Sequence, residues 1–61
     1  MELTKGKRYV IEIDGVGLKE VQIMEITNKS PMLVKVAYTD DGATEWFYEW
    51  DITALVKLPI V

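Results

Sequence analysis

Apolar and polar residues alternate along most of this chain, and short polar turns interrupt the alternation. In the first such segment Tyr9, Ile11 and Ile13 fall on one side of a strand and the residues between them fall on the other. A period of two residues is typical of a strand with one buried face. A helical period occurs only in the five residues that begin at Asp51. The sequence therefore predicts an all-β fold.

Turn residues divide the alternating segments into five predicted strands. The pair Asp41–Gly42 is a strong hairpin signal, so we expect a hairpin between the third and fourth strands, with Gly42 at positive φ. Asp51 is placed to cap one helical turn over 51–55, directly before the last strand. Pro59 confines the end of that strand to an edge or a terminus. The predicted strands cover residues 7–14, 19–27, 32–39, 44–50 and 56–61.

The second predicted strand changes phase partway along its length. Its apolar positions are Val21 and Ile23 in the first half and Met24 and Ile26 in the second. A switch near Met24–Glu25 indicates a bulge or a sharp bend, with each half serving a different sheet. Summed over all strands, the pattern predicts a core of eight residues: Tyr9, Ile11, Val21, Val34, Val36, Tyr38, Phe47 and Leu55.

Composition limits the chemistry that this chain can perform. With 61 residues it is one domain, 1–61, and it contains no Cys and no His. Disulfides, Cys/His zinc sites and Ser–His nucleophilic catalysis are therefore excluded. The carboxylates show no EF-hand spacing. We expect no metal, no cofactor and no enzymatic activity. There is no apolar run of membrane-spanning length and no signal peptide, so the expected location is cytoplasmic.

The arrangement resembles the SH3-like barrel and, within it, the Tudor-like group. Gly6 and Tyr9 resemble the glycine and the first-strand core residue of such barrels, and the segment 51–55 resembles the helical turn before their final strand. The resemblance implies a five-stranded SH3-like barrel with one short helical turn before the last strand. Its most specific part is a pattern of six residues: Val36, Tyr38, Asp40, Gly42, Glu45 and Phe47.

The ligand of the Tudor-like group does not follow from this resemblance. Such domains commonly bind methylated lysine or arginine in a cage of aromatic side chains. Here Asp41 stands where a caging aromatic often lies, and residues 10–37 contain no aromatic to form a second wall. The resemblance implies the fold and leaves the ligand class open.

The segment Tyr38–Trp50 holds five of the six aromatic residues and no basic residue. If Phe47 is core, strand alternation places Trp46 and Tyr48 on the outer face beside Leu33 and Ala37. Such an exposed apolar patch is typical of a binding surface. Two alternatives are open: the phase is wrong by one residue, which buries Trp46 and Tyr48, or the patch is the protein's own dimer face.

These observations favour a small, non-enzymatic module that binds a protein or peptide. The expected contact face is formed by Trp46, Tyr48 and Trp50, edged by Asp40, Asp41 and Glu49.

Charge suggests an alternative of another class. Residues 1–35 carry six basic and five acidic groups, which is +1, whereas residues 36–61 carry one basic and five acidic groups, which is −4. A nucleic-acid role would use Lys5, Lys7 and Arg8 for direct binding, or the acidic second half as a mimic of phosphate. A homo-oligomer is a further possibility, including an oligomeric enzyme with its site between subunits.

Overall fold

A computed structural model describes residues 3–57, and these form one antiparallel sheet of five strands. The elements are β1 Arg8–Ile13, β2 Gly17–Ile26, β3 Leu33–Tyr38, β4 Thr44–Tyr48, a 3₁₀ turn at Glu49–Asp51, and β5 Ile52–Lys57. The order across the sheet is β4-β3-β2-β1-β5, so each strand lies beside its neighbour in sequence except β5, which pairs with β1. The all-β prediction is confirmed.

The core lies on one face of the sheet, and every strand contributes to it. Six of the eight predicted core residues are buried, while Tyr38 and Leu55 are partly buried against them. The predicted set lacked Ile13, Ile23 and Ile52, which are also buried. The complete buried set is Tyr9, Ile11, Ile13, Val21, Ile23, Val34, Val36, Phe47 and Ile52.

A bulge in β2 explains the change of phase in the sequence. Ile23 pairs with Val36, and the next paired residue of β2 is Glu25, so Met24 is the extra residue. This confirms the predicted irregularity. The two halves of β2 pair with different neighbours, 17–22 with β1 and 21–26 with β3, but both halves belong to the same sheet.

The helical turn lies earlier than the sequence predicts. The expected turn was 51–55, whereas the structure has a 3₁₀ turn at Glu49–Asp51 and strand from Ile52 onward. Ile52 is buried and pairs with Ile13, so burial of this side chain in the core prevails over the local helical pattern. The Asp51 carboxylate accepts a hydrogen bond from the Tyr48 N–H at 3.0 Å and so closes the preceding turn. Residues 58–61, with Pro59, lie outside the described residues.

The hairpin between β3 and β4 has the predicted glycine. Gly42 adopts φ of 76° and its N–H donates to the Tyr38 carbonyl at 2.8 Å. The Asp41 carboxylate accepts a further bond from the Ala43 N–H at 2.9 Å. Because positive φ is easily reached only without a Cβ, this residue fixes the register of β4 against β3.

The two edges of the sheet are β4 and β5. Within residues 3–57 no ladder joins these edges, so the sheet is open and closure into a barrel stays a prediction. Two backbone hydrogen bonds tie the 3₁₀ turn to distant loops, from the Glu49 N–H to the Met32 carbonyl at 3.1 Å and from the Asp14 N–H to the Asp51 carbonyl at 2.8 Å. The 3₁₀ turn is therefore hydrogen-bonded to both the β1–β2 loop and the β2–β3 loop.

Candidate functional site

The outer side of the β3–β4 hairpin carries two exposed aromatic side chains. In the register of this hairpin Val34 pairs with Phe47, so Phe47 points to the core and is only 8% exposed. Its neighbours Trp46 and Tyr48 point the other way and are 47% and 43% exposed. The predicted alternation of β4 is confirmed, and the alternative with the phase shifted by one residue is wrong.

The 3₁₀ turn places a third aromatic residue on this side. Trp50 is 63% exposed, and its ring stacks on that of Tyr48 with the centroids 4.7 Å apart and the planes 7° from parallel. The hydrogen bond from the Tyr48 N–H to Asp51 holds the backbone between the two rings. The stack is therefore preformed, and two aromatic rings offer one apolar surface to solvent.

Two residues of β3 lie beside these rings. Leu33 pairs with Tyr48, and Lys35 pairs with Trp46, with the Lys35 Nζ 5.9 Å from the centroid of the Trp46 ring. This spacing is in the range of a cation–π contact. We name Leu33, Lys35, Trp46, Tyr48 and Trp50 together the aromatic face. Ala37, predicted beside it, is the next outward residue of β3 and pairs with Thr44.

The acidic residues of the hairpin surround Tyr38. The Tyr38 hydroxyl donates to Glu45 Oε1 at 3.2 Å, and Glu45 pairs with Val36, so it lies on the core side of β4, opposite to Trp46. Burial raises the pKa of Tyr38 above its usual value, and the negative charges of Glu45, Asp41 and Asp40 raise it further. The carboxylates of the β3–β4 turn thus form a cluster at one end of β4, while Trp50 follows its other end.

Glu49 lies at the opposite end of β4 from that cluster and borders an open groove of about 390 Å³. The groove is formed by the β2–β3 loop, which the sequence marked only as a chain break. Both a basic and an acidic side chain line it, together with an apolar one. Its lining residues are Thr27, Asn28, Lys29, Ser30, Met32 and Glu49.

The basic residues near the start of the chain lie on another part of the sheet. Lys5, Lys7 and Arg8 are exposed, and Arg8 pairs with Gln22 of β2. The Gln22 amide donates to the Gly6 carbonyl at 3.1 Å and ties this segment to β2. Since β2 and β3 separate β1 from β4, the basic group is not part of the aromatic face.

Among residues 3–57 there is no group of three carboxylate, His or Cys residues able to hold a metal ion. Within the same range no helix is long and apolar enough to cross a membrane.

Comparison with models of known protein families, with curated proteins and with solved structures finds no match to this chain.

Proposed function

We propose that this protein is a non-enzymatic interaction module that binds a protein or peptide through the aromatic face. The observation that carries the proposal is the exposure of three large aromatic side chains on one side of an edge hairpin. Partner-binding surfaces are enriched in Trp and Tyr at their centres, and a contiguous exposed apolar patch on a small domain is typical of such a surface.

The aromatic face is suited to binding because it is already ordered. Each of these side chains presents roughly 100 Å² of ring surface, so covering one ring is worth about 2–3 kcal/mol at 25 cal/mol per Å². The Tyr48–Trp50 stack fixes two of the three rings before a partner arrives. Less conformational entropy is then lost on binding, so more of the free energy gained by burying the rings contributes to affinity.

Charged groups of both signs lie around the aromatic face. Lys35 lies over Trp46, and Glu49 and Lys29 face the adjoining groove. Asp40 and Asp41 lie in the turn at the far end of β4. We infer an apolar segment on the partner that covers the rings, with polar groups of either sign at its margins, as in the polar rim of a typical interface.

We also propose that the open sheet curves into a five-stranded SH3-like barrel. Phe47 from edge strand β4 and Ile52 from edge strand β5 belong to the same core. In a flat sheet these strands would be about 19 Å apart, at four spacings of about 4.8 Å. That both residues belong to one core supports strong curvature of the sheet. The bulge at Met24 supplies a bend in β2, between the half that pairs with β1 and the half that pairs with β3.

The test is affinity capture from the native host with wild type, Trp46→Ala and Trp50→Ala, followed by titration of the purified partner. Val16→Ala is the matched control, because Val16 is an exposed apolar residue in the β1–β2 turn, away from the aromatic face. We expect both tryptophan variants to weaken binding at least tenfold and the control to bind like wild type.

Two outcomes would contradict the proposal. If Trp46→Ala converts an oligomer to a monomer in sedimentation, the aromatic face is a homodimer contact. If binding is to nucleic acid and weakens steeply with salt, the basic residues and not the rings carry the function.

A further inference from the structure

A second exposed apolar surface lies on the outer side of β1, β2 and β5. Val10 pairs with Val56, and Glu12 pairs with Ala54 on one side and Leu18 on the other. Leu18 is 70% exposed and Val56 is 61% exposed. We name Val10, Leu18, Ala54 and Val56 the valine face. The sheet places it on the β5–β1–β2 side, whereas the aromatic face lies on β3 and β4.

The charges on this face are arranged symmetrically about Val10. Arg8 and Glu12 are exposed and point to the same side of β1 as Val10, because the residues between them are buried. Each is two residues from Val10, a distance of about 6.6 Å along the strand, and their charges are opposite. A two-fold axis above Val10 that crosses the strands would reverse β1, so Arg8 of each copy would face Glu12 of the other.

We propose that the valine face is a contact between two copies of this chain. A surface whose opposite charges exchange under a two-fold axis is complementary to itself, which a surface made for a foreign partner need not be. The Thr53 hydroxyl donates to Glu12 Oε1 at 3.1 Å and restrains this carboxylate on the β5 side of β1. A 61-residue chain without disulfides gains most from such burial, because its own core is small.

One group, the Glu20 carboxylate, opposes the association of the two copies, and its replacement provides a further test. Glu20 pairs with Val10 on β2, so the two copies of Glu20 would approach each other across the axis. The Thr39 hydroxyl donates to Glu20 Oε2 at 3.0 Å and restrains the carboxylate on the β3 side of β2. Because the axis crosses the strands, this restraint shifts both copies of the carboxylate equally along the axis and leaves them facing each other. The repulsion therefore remains, and Glu20→Gln should strengthen the dimer.

The test is sedimentation equilibrium of the full chain from micromolar to low-millimolar concentration. Wild type should dimerise in this range, and Arg8→Glu and Glu12→Arg should each weaken the dimer by at least about tenfold. The double variant R8E/E12R should restore it to within about threefold of wild type, because the pairs form again with their signs exchanged.

The single variants also separate specific pairing from net charge. Arg8→Glu changes the net charge from −3 to −5, whereas Glu12→Arg changes it to −1. If net charge alone governed association, Arg8→Glu would weaken the dimer and Glu12→Arg would strengthen it. The proposed pairing predicts instead that both variants weaken the dimer. Thermal melts check that each variant is folded. Leu18→Ser, which removes an exposed apolar side chain and alters no charge, should also weaken the dimer.

Other results would overturn the proposal. If the wild-type chain stays monomeric, the valine face is not a contact between two copies, and its occupant is a foreign partner or residues 58–61 of the same chain. If R8E/E12R dimerises no more tightly than the single variants, the proposed Arg8–Glu12 pairing is wrong. Trp46→Ala should leave dimerisation unchanged, and Arg8→Glu should leave partner capture unchanged, so failure here is distinct from failure of the proposed function.

Discussion

Replacing Phe47 with alanine should remove most of the stability of this protein. Phe47 is the only residue of β4 in the buried core, and it is 8% exposed. Truncating a buried phenylalanine costs about 3–5 kcal/mol, as lost burial and as the cavity that remains. At roughly 0.05–0.15 kcal/mol per residue a chain of this length has a total stability of about 3–9 kcal/mol. The variant should therefore be marginally folded or unfolded.

The assay is urea denaturation together with thermal unfolding, with Tyr48→Ala as the matched control. Tyr48 is the next residue on the same strand, but its side chain points outward. A loss of 3–5 kcal/mol corresponds to a fall in Tm of at least about 12 °C in a domain of this size. Tyr48→Ala should shift Tm far less. A cooperative Phe47→Ala melt at the wild-type temperature, or a larger loss for Tyr48→Ala, would refute the register of β4.

Three further predictions concern the same hairpin. Gly42→Val should lower the free energy of unfolding by about 1–3 kcal/mol, because φ at this position is 76°. No atom lies within 4 Å of an added Cβ, so the variant tests backbone strain alone. If the thermal melts of the variant and the wild type superimpose, the turn assignment is wrong. Because the folded-state pKa of Tyr38 is raised, the unfolded chain loses this proton first, and stability should fall as pH rises above about 10. Tyr38→Phe should lessen that fall in denaturation at pH 9 to 11, and an unchanged slope would contradict it. Acrylamide should quench Trp46 and Trp50 in the free monomer, measured one at a time in Trp→Phe variants; an indole inaccessible to quencher would remove that residue from the aromatic face.

The sequence predicted the strands well where burial follows strict alternation. The inward positions of β1 and β3 and the outward direction of Trp46 follow from the period of two, because one face of each strand is buried. The predicted core nevertheless left out Ile13 and included Tyr38, which is only partly buried. The bulge at Met24 was also visible, because an extra residue shifts the apolar phase. These features depend on local pattern alone.

Features that depend on contacts between distant segments were not predicted. Ile52 was assigned to a helical turn, since nothing near it in sequence shows that it pairs with Ile13. The Tyr48–Trp50 stack requires a 3₁₀ turn whose ends are fixed by bonds to Met32 and Asp14. The groove beside Glu49 is lined by a loop that lies 17 or more residues earlier in the chain.

The structure also explains why aromatic and acidic residues are adjacent in this sequence. In β4 successive side chains point to opposite faces, so Glu45 and Trp46 are neighbours in the chain but serve different surfaces. Glu45 joins Asp40 and Asp41 around Tyr38, where burial and then these negative charges raise the pKa of the phenol, and Trp46 joins the aromatic face. The two groups are therefore adjacent through strand alternation and not because one site needs both. Lys35 Nζ lies over the Trp46 ring, whereas Glu45 lies on the core side of β4 and Asp40 and Asp41 lie in the turn before β4. A partner on the aromatic face would therefore contact Lys35 rather than these carboxylates. It follows that Glu45→Gln should lower the pKa of Tyr38 yet leave partner affinity unchanged, whereas Lys35→Glu should change affinity and leave Tyr38 unaltered.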